Sequence, residues 1–191
     1  MAARVLVVQH QDSCPPALIG EWLTEAGLVL DVRRPDLGED LPDDLEAHDA
    51  LLVLGGAMDA VDEAGHPWLT TTVSLLRRAV AEEVPTWGVC LGHQLLARAC
   101  GGVVDRNPRG RQVGVLPMGW TPAAAEDLLV GDLAAAATAA RCLQWNQDIV
   151  VEVPSSAVVL ARTAADEPQV VRFAPRAWGV QAHPEAGPSL V

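Results

Sequence analysis

The chain contains no lysine: all 13 of its Lys/Arg positions are arginine, set against 25 acidic residues, for a formal net charge of −12. Binding a phosphate backbone needs concentrated positive charge, so this balance argues against a nucleic-acid surface and is explained by solubility. The missing lysine also rules out a Gly-x-x-x-x-Gly-Lys-Ser/Thr phosphate loop, and with it a synthetase module of that type. Half of the residues are apolar, yet no run approaches the ~20 uninterrupted apolar residues of a membrane helix. No apolar leader with a small-residue cleavage site precedes the candidate first strand at residues 4–8, so a cytoplasmic location is expected. Cysteine is sparse, and Cys14, Cys90, Cys100 and Cys142 form no Cys-x-x-Cys pair. Reduced thiols are expected, with no metal and no cofactor.

What the chain does have is a cysteine placed for chemistry. Gly88-Val89-Cys90-Leu91-Gly92-His93-Gln94 sets a thiol between two glycines, after an apolar run and before a helical pattern. This is a strand-turn-helix nucleophile elbow, in which the glycines permit a sharp turn that leaves the nucleophile exposed. The positive end of the following helix favours a thiolate there. Far downstream, Gly179-Val180-Gln181-Ala182-His183-Pro184-Glu185 offers a base and its orienter. Pro184 biases His183 toward an extended conformation, in which residues 183 and 185 share a face. A cysteine, a histidine and a carboxylate supply what covalent acyl transfer needs.

The rest of the pattern alternates. Strands are expected at residues 5–9, 28–32, 49–54 and 86–89, and helices at 17–26, 68–81 and 93–100. Beyond Gly102 short strands follow at 103–104, 112–116, 149–153, 158–161, 170–173 and 178–181, with part helix and part loop over 123–139. Such alternation predicts a three-layer α/β domain, an open, mainly parallel sheet with helices on both faces, over residues 1–191. Ligands of such sheets bind beyond the carboxyl ends of the strands. Gly55-Gly56, Cys90 and His183 each follow an apolar strand, so one sheet edge can gather all three.

The two cysteine and histidine segments together resemble the class I glutamine amidotransferases, the triad glutaminases. The resemblance extends to Leu51-Leu52-Val53-Leu54-Gly55-Gly56-Ala57-Met58 with His66-Pro67-Trp68, and to Gln144-Trp145-Asn146-Gln147-Asp148, and is nearest to the stand-alone type similar to the glutaminase half of GMP synthetase. It implies a flavodoxin-like fold and a cysteine-dependent glutamine amidohydrolase working through a thioester. It implies Cys90, His183 and Glu185 as the triad, with Gly56 and Leu91 as oxyanion-hole donors. Gly55, Gln94, Asn146 and Gln147 would meet the substrate, which is glutamine, and the ammonia would pass to an acceptor or partner synthetase. A γ-glutamyl amide hydrolase on the same fold and a weakened regulatory homologue are the alternatives.

Two positions depart from that pattern: Asn146 stands where relatives show histidine, and Ala182 where an aromatic residue usually precedes His-Pro-Glu. A small side chain at 182 would loosen His183 by leaving volume unfilled. Cys14, Cys100 and Cys142 read as packing or incidental thiols. His93 reads as structural at the helix start, and His10, His48 and His66 receive no catalytic role. The tryptophans read mostly as core, with Trp145 as a candidate pocket wall.

Overall fold

The computed structural model describes residues 2–137 and 139–187. Strand β1 (Arg4–Val8) shows how the layers arise, since its side chains alternate between two cores. Val5 and Val7 pack with Ile19 and Leu23 of helix α1 (Ala17–Glu25). Leu6 and Val8 pack with Leu69 and Leu76 of α2 (Trp68–Ala81) and with Leu95 of α3 (Leu91–Ala99). A strand buried on both faces reads as an unbroken apolar run, as this one does.

Beside β1 lie β2 (Val29–Arg33) and β3 (Ala50–Val53), both parallel to it. Strand β4 (Thr86–Val89) then pairs parallel with β3, and β11 (Ala177–Val180) parallel with β4. Past β11 the sheet turns antiparallel through β10 (Pro168–Ala174), β9 (Val158–Arg162), β6 (Gln112–Trp120) and β7 (Ala139–Asn146). The order is β2-β1-β3-β4-β11-β10-β9-β6-β7, and β5 (Val103–Arg106) pairs separately with β8 (Asp148–Glu152). The parallel register aligns Val8 with Val53, Val53 with Gly88, and Val89 with Val180. The segments that follow these strands therefore leave from one edge.

The structure departs from the sequence reading in three places. Helix α3 begins at Leu91 rather than His93, so Cys90 abuts the first helical residue. Gly131, read as a loop, starts α4 (Gly131–Ala136). Strand β7 was not anticipated at all: its inward face carries Gln144 and Asn146 while Trp145 is 58% exposed. That inverts the apolar-in alternation by which strands are recognised.

Both elbow glycines are enforced by close approach. A Cβ on Gly88 would stand 2.5 Å from the Gly92 carbonyl oxygen, and one on Gly92 would overlap the Val53 carbonyl oxygen. A methyl cannot be relieved against backbone as it can against a flexible side chain, so Gly92→Ala should lose at least about 2 kcal/mol. Gly119, with nothing within 4 Å of its virtual Cβ, is the control, and Gly119→Ala should stay within about 0.5 kcal/mol. Urea unfolding of the two variants checks this, and equal midpoints would show that α3 does not press on β3.

Candidate active site

Cys90 occupies the turn between β4 and α3 with φ 51° and ψ −105°, a left-handed conformation that side chains seldom adopt. Such a residue stores on the order of 1–3 kcal/mol of strain and persists only where its surroundings hold it. Here the Cys90 N–H donates to Val180 O at 2.8 Å, the Cys90 carbonyl accepts from Gln94 N at 3.1 Å, and Gly92 N donates to Leu54 O at 3.2 Å. The elbow is thus pinned to β11, to its own helix and to the end of β3.

His183 leaves the end of β11 and is fixed by its backbone, whose N–H donates to Leu143 O at 2.8 Å. Its Nδ1 meets Glu185 Oε1 at 2.7 Å, and the ring and Cys90 line the same cleft. The expected neighbourhood of 183 and 185 is present, but a turn at Pro184-Glu185 makes it rather than an extended run. Burial disfavours the imidazolium, yet the Cys90 sulfur and the Glu185 carboxylate outweigh it and raise His183 to about 10. Ala182 is fully buried in the core that includes Val180, with Cys142 packed against it.

These residues open onto a cleft of ≈ 390 Å³, which Gly56, Gln94, Asn146 and Gln147 also line. Gly55 is not on its wall but behind the pair: a virtual Cβ there lies 3.1 Å from His183 Cε1 and 3.6 Å from Cys90 Cβ. Leu91 buries its side chain and lies in the first helical turn, where N–H groups have no acceptor inside the helix. Trp145 does wall the cleft. His93 is fully buried against Phe173, with ring centroids 5.3 Å apart, and burial lowers it to about 3, which keeps it neutral. His10 is likewise lowered to about 4, chiefly by burial, and accepts from Trp68 Nε1 at 3.2 Å.

Sequence reasoning missed several residues of the cleft. Gln11 accepts from Ala57 N at 2.8 Å and so clamps the loop that carries Gly56. Gln181, fully buried, donates to Cys90 Sγ at 3.8 Å and accepts from Gln94 Nε2 at 3.2 Å. Gln94 also donates to Asp148 O at 2.8 Å. Asn146 donates to Asp148 O at 3.3 Å and to Gln112 Oε1 at 3.1 Å, and Gln112 donates in turn to the buried Glu167 at 2.6 Å. The only sequence signal for Gln181 was its place two residues before His183. The others become neighbours through the fold alone. Cys14, read as incidental, lines the cleft next to Gln11. Among the described residues no group of three or more His, Cys, Asp or Glu could hold a metal ion, and no helix is long and apolar enough to cross a membrane.

Two expectations follow. Cys90→Ala removes two of the influences that hold the His183 proton, so the ring should titrate at lower pH than in the unsubstituted protein, as followed by NMR of the imidazole. The sign for stability is set by the same shift. With the folded value raised above 6.5, this contribution is complete below about 6.5 and is lost as the pH climbs toward 10. Burial and the charges of Cys90 and Glu185 push the Cys14 thiol up, away from its reactive form. A glutamine-like electrophile should therefore label Cys90 alone by mass spectrometry: Cys14→Ala should keep the label and Cys90→Ala should lose it.

Residues 17–190 match the family described as glutamine amidotransferase class-I. Gamma-glutamyl peptidase 5 of Arabidopsis thaliana is 30% identical over 164 residues, 84% of this chain and 63% of the peptidase. The chain thus spans less than two thirds of that relative. A glutamine-hydrolysing GMP synthase of Aeropyrum pernix is 34% identical over 174 residues, 88% of this chain but 30% of the synthase. The crystal structure of a glutamine amidotransferase from Thermotoga maritima superposes with a TM-score of 0.88 at 26% identity, covering 100% of this chain and 79% of that one. With the match running over nearly its whole length, this chain belongs to the class I glutamine amidotransferase family.

Proposed function

We propose that this chain hydrolyses the side-chain amide of glutamine through a Cys90 thioester and supplies the ammonia to an acceptor or a partner synthetase. The observation that carries the reading is the gathering of Cys90, His183 and Glu185 on one cleft of ligand size, with His183 hydrogen-bonded to Glu185.

Cys90 sulfur attacks the carboxamide carbon, and the carbonyl oxygen becomes an oxyanion. The N–H groups of Gly56 and Leu91 are the proposed donors to it, and one donor of this kind typically supplies about 3 kcal/mol. His183, protonated under the influence of Cys90 and Glu185, gives its proton to the departing nitrogen as the C–N bond breaks. Ammonia leaves and the thioester remains. The sulfur no longer carries charge at that stage, so the groups holding a proton on His183 are fewer. The ring can then accept a proton from water as the water attacks the thioester. Collapse releases glutamate and restores the thiol, with Glu185 keeping the ring oriented throughout. Water adds once, and glutamine becomes glutamate plus ammonia.

A second reading, hydrolysis of γ-glutamyl amides with larger leaving groups, draws support from the similarity to gamma-glutamyl peptidase 5. Both readings use the same acyl-enzyme and differ in what leaves. The test is steady-state release of ammonia from glutamine and of free amine from γ-glutamyl dipeptides by the purified protein. Glutamine is expected to show the higher kcat/KM, and Cys90→Ala to fall by at least about a thousandfold on both. Faster turnover of the dipeptides would assign the second reading, and activity surviving in Cys90→Ala would remove both.

A further inference from the structure

The cleft wall carries a second thiol that the proposed hydrolysis does not use. Among the described residues, Cys14 and Cys90 are the two cysteines that line the cleft, and both are free. Cys100 ends α3, away from the elbow, and Cys142 packs against the apolar core. The two cleft thiols come from distant parts of the chain, Cys14 from the loop between β1 and α1 and Cys90 from the elbow.

A missing side chain brings them together. The point where a Cβ would stand on Gly55 is 3.8 Å from Cys14 Sγ and 3.6 Å from Cys90 Cβ. One methyl there would occupy the space that the two cysteines share, and glycine keeps it open. Their restraints differ. Cys90 is pinned through its backbone to β11 and to its own helix. Cys14 lies outside any helix or strand, and its sulfur accepts from the Gln11 amide at 3.3 Å. Sulfur is a weak acceptor, so that bond yields easily. A disulfide brings two Cβ atoms to about 3.8 Å, and the loop of Cys14 is the part that moves to reach it.

Electrostatics favour the same pairing. Burial first, and then the charge of Cys90, keep Cys14 as the unreactive thiol. Oxidation turns the Cys90 sulfur into a sulfenic acid, which is neutral and electrophilic. The repulsion from Cys90 is then gone, and Cys14 ionises more readily beside the sulfur that it attacks.

We propose that Cys90 and Cys14 form an oxidation site for peroxide, in which Cys14 is the resolving thiol and closes a reversible disulfide across the cleft. The Cys90 sulfur gives two electrons to hydrogen peroxide, whose O–O bond breaks. One oxygen stays as the sulfenic acid and the other leaves as water. The Cys14 sulfur then attacks the Cys90 sulfur, the S–O bond breaks, and that oxygen leaves as water with the Cys14 proton. One peroxide and two thiols thus become one disulfide and two waters. A thiol reductant returns both sulfurs by exchange. The disulfide stops chemistry at Cys90 and spares it the irreversible sulfinic and sulfonic acids.

The lack of lysine makes the test direct. Trypsin cuts this chain at arginine alone, so Cys14, Cys90, Cys100 and Cys142 fall on separate peptides, 5–33, 79–98, 99–106 and 142–162. The reduced protein is treated with equimolar hydrogen peroxide, free thiols are capped with N-ethylmaleimide, and the digest is read by mass spectrometry without reductant. Peptides 5–33 and 79–98 should be joined, in protein that runs as a single chain on a non-reducing gel. Dithiothreitol should return nearly all of the lost thiol and of any glutamine hydrolysis lost with it. In Cys14→Ser, with its fold checked by the thermal midpoint, dimedone should trap more Cys90 sulfenic acid. Excess peroxide should then carry Cys90 of that variant to the sulfinic acid, which dithiothreitol does not reverse. Cys142→Ser should leave the joined pair intact. Cys90 joined instead to Cys100, to Cys142 or to a second chain overturns the inference. So does Cys14 still capped in the treated protein, or a Cys14→Ser protein that recovers as fully as the unsubstituted one. The joined peptides are read by mass, so this result is independent of whether glutamine is the substrate.

Discussion

The approach of helix α3 to the backbone of β3 and β4 governs the rest of the cleft. With no side chain at residues 88 and 92, the first turn of the helix sits against the Val53 carbonyl and the Gly88 backbone. This contact forces the chain through a left-handed conformation at Cys90 and aims the helix N-terminus at the sheet edge. The strain there is outweighed by hydrogen bonds to Val180 and Leu54, each from a different strand of the parallel sheet. Close packing, register and the geometry of the thiol are therefore one property. Cys90 cannot be moved by relaxing a loop, because it stands directly between β4 and α3.

From that elbow a buried polar chain runs through the cleft floor. It passes from Cys90 to Gln181, to Gln94, to the Asp148 carbonyl, to Asn146, to Gln112 and to Glu167. Most of its side chains are amides, which donate and accept at fixed angles and carry no charge to be neutralised. An amide chain of this kind orients groups without titrating near neutral pH. Asn146 belongs to this pattern: it joins the chain as an oriented amide, where a histidine would introduce a second titrating ring. Glu167 anchors the far end and is itself satisfied by Asn107, Thr163, Gln112 and Arg109.

The parallel half of the fold and the meeting of Cys90, His183 and Glu185 were legible because local sequence and global structure agree there. Residues 68–81 carry a helical apolar period and form α2 over that span, and the elbow carries its own glycines. The antiparallel half was harder to read. In β7 Gln144 and Asn146 are buried while Trp145 is exposed, because the two amides join a hydrogen-bonded amide network with Gln169 and Gln112. Burial alone thus sends the pattern the wrong way. The contacts that give Gln11 and Glu167 their place carry no local signal, since Gln11 meets Ala57 across 46 residues and Glu167 meets Gln112 across 55.

The sheet order has a consequence for how the chain comes to be folded. Strand β11, the last described strand in sequence, is not at an edge but between β4 and β10, where it joins the parallel half to the antiparallel half. Until it arrives, β4 shows an open side and the Cys90 amide lacks the Val180 carbonyl that restrains it. A chain growing from the ribosome can build β1, β3 and β4 early, but Cys90 and His183 meet only when β11 enters between the halves. Pairing so distant in sequence is slow to form and leaves apolar strand edges open meanwhile. Cys90 thus stays apart from His183 until β11 is in place, and completion of the sheet and the meeting of these two side chains are the same event.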